Sequence, residues 1–412
     1  MKEINMICGN DNGNSEHDLV INGRFVGQPN VFAKMTQLPM LEELNPEYIA
    51  KNIHDKLIVS IKSKSCPVGT YAIGNFALGS GNRIHNMDVG LLNDKTNSDI
   101  VIVNTFGQLA GYAAAKAYLE DSTVREVHAF VDLTTELPVT QYNKQNATVL
   151  KNKMMGSHDI SVYLGSVEIK VKLEIEYVKV LPESVSAIFY LQNGPKELYS
   201  EFAKEVDGSY FKDKRAIHAG IGEGTSEYPI TNGIAFDPNF IKGSDNGVGL
   251  AIDKARIKLA NSVSLRNLSR QDYSKYLKDS NHKYHSFAMD FIEDPIDEEA
   301  SAILFNVKEQ IERSNNEADF IFVHGGGSIM MRGHLENKLK ALCQKTLMEL
   351  FYVPTHYAVA LEALGLYEFC NSEIYASLKE NATGKPVLKI DIEETVLPDV
   401  IDYSLNAEIQ TA

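Results

Sequence analysis

Residues 216–231, AIHAGIGEGTSEYPIT, read as strand, glycine-rich turn, strand. Gly220, Gly222 and Gly224 let a backbone approach a ligand closely. Such a turn aims several N–H groups at one point, which suits phosphate oxygens, and Thr225 can add a hydroxyl. Glu223 cannot bind phosphate, but a carboxylate there can hold a metal ion or its waters. Taken alone, a β-hairpin whose glycines only make the turn is the stronger reading. Two similar turns elsewhere change the balance. Asp11-Asn12-Gly13-Asn14-Ser15 lies between apolar strands expected over 4–8 and 19–21. His324-Gly325-Gly326-Gly327-Ser328 follows a buried strand over 320–323, with a helix expected to restart near His334. The C-terminal end of such a strand is where α/β proteins place ligands.

The elements that must position these turns are legible in outline. Asn22-Gly23 signals a hairpin after the second strand. Residues 30–95 suggest a small subdomain with strands over 57–61 and 70–73. Ser98 can cap a long helix to Glu120, with Ala110, Ala113, Ala114 and Ala117 on a close-packing face. A strand over 124–133 runs into Thr134-Thr135-Glu136-Leu137-Pro138-Val139-Thr140-Gln141, where Pro138 stops the ladder and leaves Gln141 just beyond it. A helix over 143–155 precedes a hairpin insertion at about 157–180, whose residues 167–177 alternate apolar with charged. Asn246-Gly247-Val248-Gly249 opens a helix over 250–260, and Asp297 is read as capping a helix to Arg313.

The totals bound the class. At 412 residues the chain exceeds one ordinary core. Hydrophobic content of 44% and charged content of 23% are those of a soluble globular protein. No apolar run is long enough to span a bilayer, and MKEINMICGNDNG lacks a signal-peptide core, so a cytoplasmic location is expected. Cys8, Cys66, Cys343 and Cys370 show no C-x-x-C spacing, which argues against a zinc site or a disulfide framework and favours buried reduced thiols. The net charge of −15, from 55 acidic and 40 basic residues, argues against wrapping nucleic acid directly.

Two hairpins with acidic, glycine-bearing turns, followed by a strand–GGG–helix turn, resemble the actin-like ATPase superfamily. Asp11 to Ser15 looks like its first phosphate loop. Gly222-Glu223-Gly224-Thr225 with Tyr228-Pro229-Ile230 looks like the second, and Gly325-Gly326-Gly327-Ser328 resembles the adenosine-side turn. Leu137-Pro138-Val139-Thr140-Gln141 resembles a stretch of the bacterial ParM plasmid-partition proteins whose last residue orients the attacking water. The resemblance implies an α/β two-lobe fold, a duplicated ribonuclease H-like design with a nucleotide cleft between lobes. Lobe I would take 1–215, completed by 366–412, and lobe II would take 216–365. It implies ATP or GTP with Mg²⁺ held near Asp11 and Glu223 through water, and hydrolysis with Gln141 positioning the water. It implies contacts to the nucleotide from Asn12, Gly13, Asn14, Ser15, Gly222, Gly224, Thr225 and the glycines of the third turn, with Asn246 bordering the base. The expected function is a filament-forming bacterial ATPase that moves plasmid DNA through a DNA-binding adaptor at a centromere. One departure stands out: the family usually carries an aspartate where this chain has Gly220.

Other readings remain open. A sugar or acetate kinase on the same fold needs a carboxylate base near the position of Gln141, and a chaperone-like ATPase needs a separate peptide-binding domain. His282 and His285 have a metal-like spacing but no third ligand nearby in sequence. His324 reads as a strand-end residue bonded to backbone, His17 and His218 as neighbours of the phosphate turns, and Met330-Met331 as core.

Overall fold

The computed structural model describes residues 1–38, 45–87, 94–266 and 268–398. These form two compact units. The first takes Met1–Leu137, Gln141–Pro182 and Ala363–Val396, and the second takes Pro138–Thr140 and Glu183–Glu362. Residues 399–412 of the expected C-terminal segment lie outside the described residues.

A ten-stranded sheet carries the first unit. Its strands are β1 (Lys2–Asn12), β2 (Glu16–Ile21), β3 (Arg24–Pro29), β4 (Val31–Met35), β5 (Ile58–Lys62), β6 (Gly69–Ile73), β7 (Ile84–Asn86), β8 (Glu126–Leu137), β9 (Gly156–Leu164) and β10 (Val167–Pro182). Their spatial order is β3-β2-β1-β8-β10-β9-β5-β6-β4-β7. β1, β8 and β10 are parallel neighbours. Val127, Ala129, Val131 and Leu133 of β8 are buried, as a central parallel strand requires. The Asp99–Glu120 helix packs on this sheet, and Ser98 caps it as expected: its Oγ accepts the Ile100 N–H at 3.2 Å. Ala110, Ala113, Ala114 and Ala117 are fully buried. The small subdomain is β4 to β7, joined to the main sheet through β5 and β9.

The hairpin of 157–180 is not an insertion. β9 and β10 do form it, but β10 also pairs with β8 from Lys170 to Pro182 and lies in the middle of the sheet. The charged alternation of 167–177 hid this, because one face there is wet while the strand continues into the buried residues Val178, Val180 and Leu181. The ladder slips between Ile175 and Tyr177, so Glu176 is the extra residue of a bulge. That slip aims Glu176 at Lys379 of the Glu373–Thr383 helix, 2.7 Å away. Lys379 also donates to Asp132 at 2.8 Å, and both residues are fully buried. Lys379→Met is expected to destabilise the protein by about 3–5 kcal/mol, because it strands a buried carboxylate. A urea midpoint within error of wild type would overturn this.

The second unit is built on β11 (Arg215–Ile221), β12 (Ser226–Glu227), β13 (Ile230–Asn232), β14 (Ala235–Phe236), β15 (Gly243–Ser244), β16 (Phe320–His324) and β17 (Glu349–Tyr352). β11 pairs antiparallel with both β12 and β13 and parallel with β16, which pairs parallel with β17. The expected boundary at 215/216 moves to 182/183. Residues 183–214 pack here because Phe211 meets Phe320 and Phe351 at ring-centre distances of 5.2 and 5.3 Å. Asp297 caps nothing: the helix runs unbroken over His285–Arg313 with Pro295 inside it. Its carboxylate instead takes Lys338 at 2.6 Å. All four cysteines are free and buried. Among the described residues, no helix is long and apolar enough to cross a membrane.

Candidate functional site

The β1–β2 hairpin extends further than its sequence suggests. Register runs to Asn12 opposite His17, leaving only Gly13-Asn14-Ser15 as the turn. Side chains alternate along a strand, so Asp11 is half-buried on one face while Asn10 and Asn12 turn inward on the other. The Asn12 amide donates to Thr105 at 3.2 Å, which holds its side chain inside. Asn10 bonds to His17 at 2.7 Å and to Thr135 at 3.0 Å. Asn30 pins the turn: its amide donates to the Gly13 carbonyl at 2.6 Å and its N–H to that of Ser15 at 2.7 Å.

β8 runs on to Leu137, past the point where sequence suggested a loop. Its register sets Asn10 beside Thr135, so the next pair along is Asp11 and Glu136. Their carboxylate oxygens lie within 4.8 Å of one another, and Glu136 is only 3% exposed. Two carboxylates that close repel unless a cation or proton lies with them. Sequence reasoning passed over Glu136. The available signal was a carboxylate two residues before the proline that ends a strand. Gln141 lies beyond that end, half-buried. Its carbonyl accepts from Asn146 at 2.8 Å and from Asn143, the N-cap of the Lys144–Met154 helix, at 3.2 Å. These two bonds tether the turn that carries Gln141.

In the second unit, Gly222-Glu223-Gly224-Thr225 is a closed turn, with the Gly222 N–H donating to the Thr225 carbonyl at 2.9 Å. The turn is stapled to the start of the Val248–Ser262 helix. Val248 and Gly249 donate their N–H groups to the carbonyls of Gly222 and Glu223 at 3.2 and 2.8 Å. The helix after β16 begins at Gly326, not near His334, and runs Gly326–Thr346. Gly325 bridges strand and helix at φ 90°, where only glycine is unstrained. A Cβ on Gly325 would lie 2.5 Å from the Ile221 carbonyl oxygen, and one on Gly327 would lie 2.7 Å from that of Gly222. The glycine turns of β11 and β16 therefore nest against each other. The N–H groups of Gly326 and Gly327 open a long helix, a ready anion site, while that of Ser328 donates to the Gly325 carbonyl at 3.0 Å.

Two of the expected site residues have partners within the second unit. Glu223 is claimed by Arg270, whose guanidinium donates to Oε1 at 3.2 Å while also pairing with Asp253 at 2.9 Å. A carboxylate already neutralised by arginine is a poor metal ligand. Asn246 donates to the buried Glu299 at 2.9 Å, which holds its side chain among the helices. His324 and His218 are fully buried, His218 bonded to Thr231 at 3.0 Å. His282 stacks on Tyr276 at 4.1 Å and His285 bonds the Tyr276 carbonyl, which leaves no pair of metal ligands there. Met331 is core.

Residues 9–185 match the family model of the N-terminal domain of actin-like proteins. Over those residues the chain is similar to the N-terminal domain of actin-like proteins. Its fold as a whole is actin-like too, as three solved structures show. Actin-like protein Alp7A aligns with a TM-score of 0.67 at 16% identity, over 93% of this chain and 100% of that one. Bacillus thuringiensis ParM with ATP gives 0.58 at 18% identity, over 90% and 99%. The archaeal actin homologue Ta0583 gives 0.60 at 13%, over 89% and 99%. No curated protein sequence matches.

The stability of this chain is expected to fall in acid. Burial holds His17 and His218 down to about 3 and His54 to about 4, from an ordinary 6.5. Each stays neutral when folded but takes a proton when unfolded below pH 6.5, so stability is lost as pH falls from 6.5 towards 3–4. Each adds a slope of up to about 1.4 kcal/mol per pH unit. Denaturant unfolding between pH 7 and 4.5 should show this, and His54→Gln should reduce the slope by its own share; a flat wild-type profile refutes it.

Proposed function

We propose that this actin-like chain is a nucleoside triphosphatase that assembles into filaments and moves plasmid DNA through an adaptor protein. The Asp11–Glu136 pair carries the reading: two acidic side chains on adjacent parallel strands, beside a pinned glycine turn. Such a pair fits a hard divalent cation. Bound Mg²⁺ would neutralise charge on the β- and γ-phosphates of ATP or GTP. Asp11 and Glu136 would hold its water shell. The N–H groups of Gly13, Asn14 and Ser15 would hold phosphate oxygens, as would those of Gly224 and Thr225 and of Gly326 and Gly327, while Gly222 and Ser328 spend their N–H groups closing the turns. Gln141 would orient a water by its amide, since it has no useful pKa for removing a proton. Glu223, tied to Arg270, positions its turn rather than the cation. Asn246 keeps the following helix start beside that turn, a border for the base.

The acidic surface implied by a charge of −15 favours an adaptor over direct DNA binding. Ultracentrifugation with ATP, GTP or no nucleotide, with phosphate release measured alongside, tests the reading. Nucleotide-dependent pelleting of filaments is expected. A protein that binds neither nucleotide, or transfers phosphate to a sugar and never pellets, ends it.

A further inference from the structure

We infer that the Arg270–Lys278 helix and the turn after it form the face by which this chain docks on an acidic surface of a second copy of itself. The inference rests on the filament reading above and goes further by naming one of the contact faces. Charge is spread unevenly along the chain. From Lys254 to His285 stand eight lysines and arginines against two aspartates, in a chain whose net charge is −15. The remainder is therefore more acidic than the total suggests.

Only part of this positive charge is neutralised within the second unit. Lys254 pairs with Glu298 and Glu299 at 3.0 and 2.9 Å. Arg256 and Arg270 converge on Asp253 at 2.7 and 2.9 Å. Lys275, Lys278 and Lys283 are exposed and have no acidic partner among the described residues. The two aspartates near them serve local caps. Asp272 accepts from the Ser269 hydroxyl at 2.6 Å, and Asp279 accepts the Asn281 N–H at 3.0 Å.

The face is braced. His282 stacks on Tyr276 with ring centres 4.1 Å apart, and the Tyr284 ring lies 5.5 Å from both. His285 Nδ1 bonds the Tyr276 carbonyl at 2.9 Å, and Tyr273 donates its hydroxyl to the Ala288 carbonyl at 2.6 Å. These contacts fix the turn between the two helices, so little backbone order is left to be paid for on binding. Phe287, in the first turn of the His285–Arg313 helix, is 48% exposed. It supplies an apolar centre for a cationic rim, a common anatomy for a protein contact. A strongly acidic chain repels a nucleic acid over its other faces, whereas a second copy offers those acidic faces to the lysines. A basic face meeting a different, acidic face is a heterologous contact, which repeats from copy to copy and builds an open filament unless the rotation closes it.

The test measures the critical concentration for nucleotide-dependent pelleting, with nucleotide affinity read alongside by titration of a fluorescent analogue. Lys275→Glu, Lys278→Glu and Lys283→Glu together are expected to raise the critical concentration about tenfold or more and to leave nucleotide affinity within about twofold. The same three positions changed to glutamine should raise it less and make pelleting less sensitive to added salt than in the wild type. Should the charge-reversed protein not fold, the glutamine variant is read by the same ratio. Lys62→Glu, Lys170→Glu and Lys172→Glu, exposed on one face of the ten-stranded sheet, make the same change in net charge and should pellet like the wild type. If both charge-reversed proteins fail equally, net charge governs assembly and the assignment falls. It falls also if the first pellets like the wild type, including the case where it loses a wild-type affinity for a labelled DNA duplex. A wild type that pellets with no nucleotide overturns the filament reading, and this inference with it.

Discussion

Asp11→Asn is expected to slow nucleotide hydrolysis by about 100-fold or more, with the fold intact. The substitution keeps the shape of a half-buried side chain and removes only its charge. Glu136→Gln should cost a comparable factor, because its oxygen shares the same small region with that of Asp11. The double variant should lose far less than the product of the two, since both residues act on one cation. Phosphate release under saturating Mg²⁺ and nucleotide reads all three. Gln141→Ala, in contrast, should slow hydrolysis while nucleotide binding and pelleting persist. The carboxylate pair would lose its assigned role if Asp11→Asn hydrolysed at the wild-type rate. Gln141 would lose its role if its alanine variant did.

Gly325→Ala is expected to destabilise the second unit by about 2–4 kcal/mol and to abolish nucleotide binding. Two costs add. The position has φ 90°, which a side chain resists, and the new Cβ would meet the Ile221 carbonyl oxygen at 2.5 Å. Backbone cannot yield there without unseating the nested turn of β11. The neighbouring Gly326→Ala is the control. Its Cβ would meet only Val359 Cγ2, at 3.8 Å, and alanine suits a helix start better than glycine. A change of no more than about 0.5 kcal/mol is expected, with nucleotide binding kept. Urea unfolding and nucleotide titration of the pair separate sterics from chemistry, since both variants retain every backbone N–H. If the two alanine variants behaved alike, the nesting of the turns would carry no energy.

Local signals were read well because their chemistry is local. Asn22-Gly23 announces a turn in its own dihedrals, and Asn22 does adopt φ 53°. Ser98 announces a helix start by its hydroxyl, and the cap forms. The misreadings have a common form. β10 was taken for an outlying hairpin because a wet face over part of its length looks the same on an edge strand as on a central one. Asp297 reads as a helix start, although the long helix runs through it from His285 and holds Pro295 in its interior. The turn after His324 was placed too generously, because three glycines do not say which of them begins the helix.

The amino-acid order by itself determined the three glycine turns, their placing at strand ends, the acidic residue in the first, and so the likeness to actin-like proteins. Tertiary structure alone decided which acids stand together and which are paired with arginine. Asp11 and Glu136 stand together only because β1 and β8 pair in parallel, and a parallel pair has a register that no turn between them sets. Glu223 went to Arg270, and the space at Gly220 went to Ser184, by contacts between residues dozens of positions apart. Backbone conformation depends on neighbours in the chain, whereas the partner of a charge depends on the packing of a whole sheet and its helices.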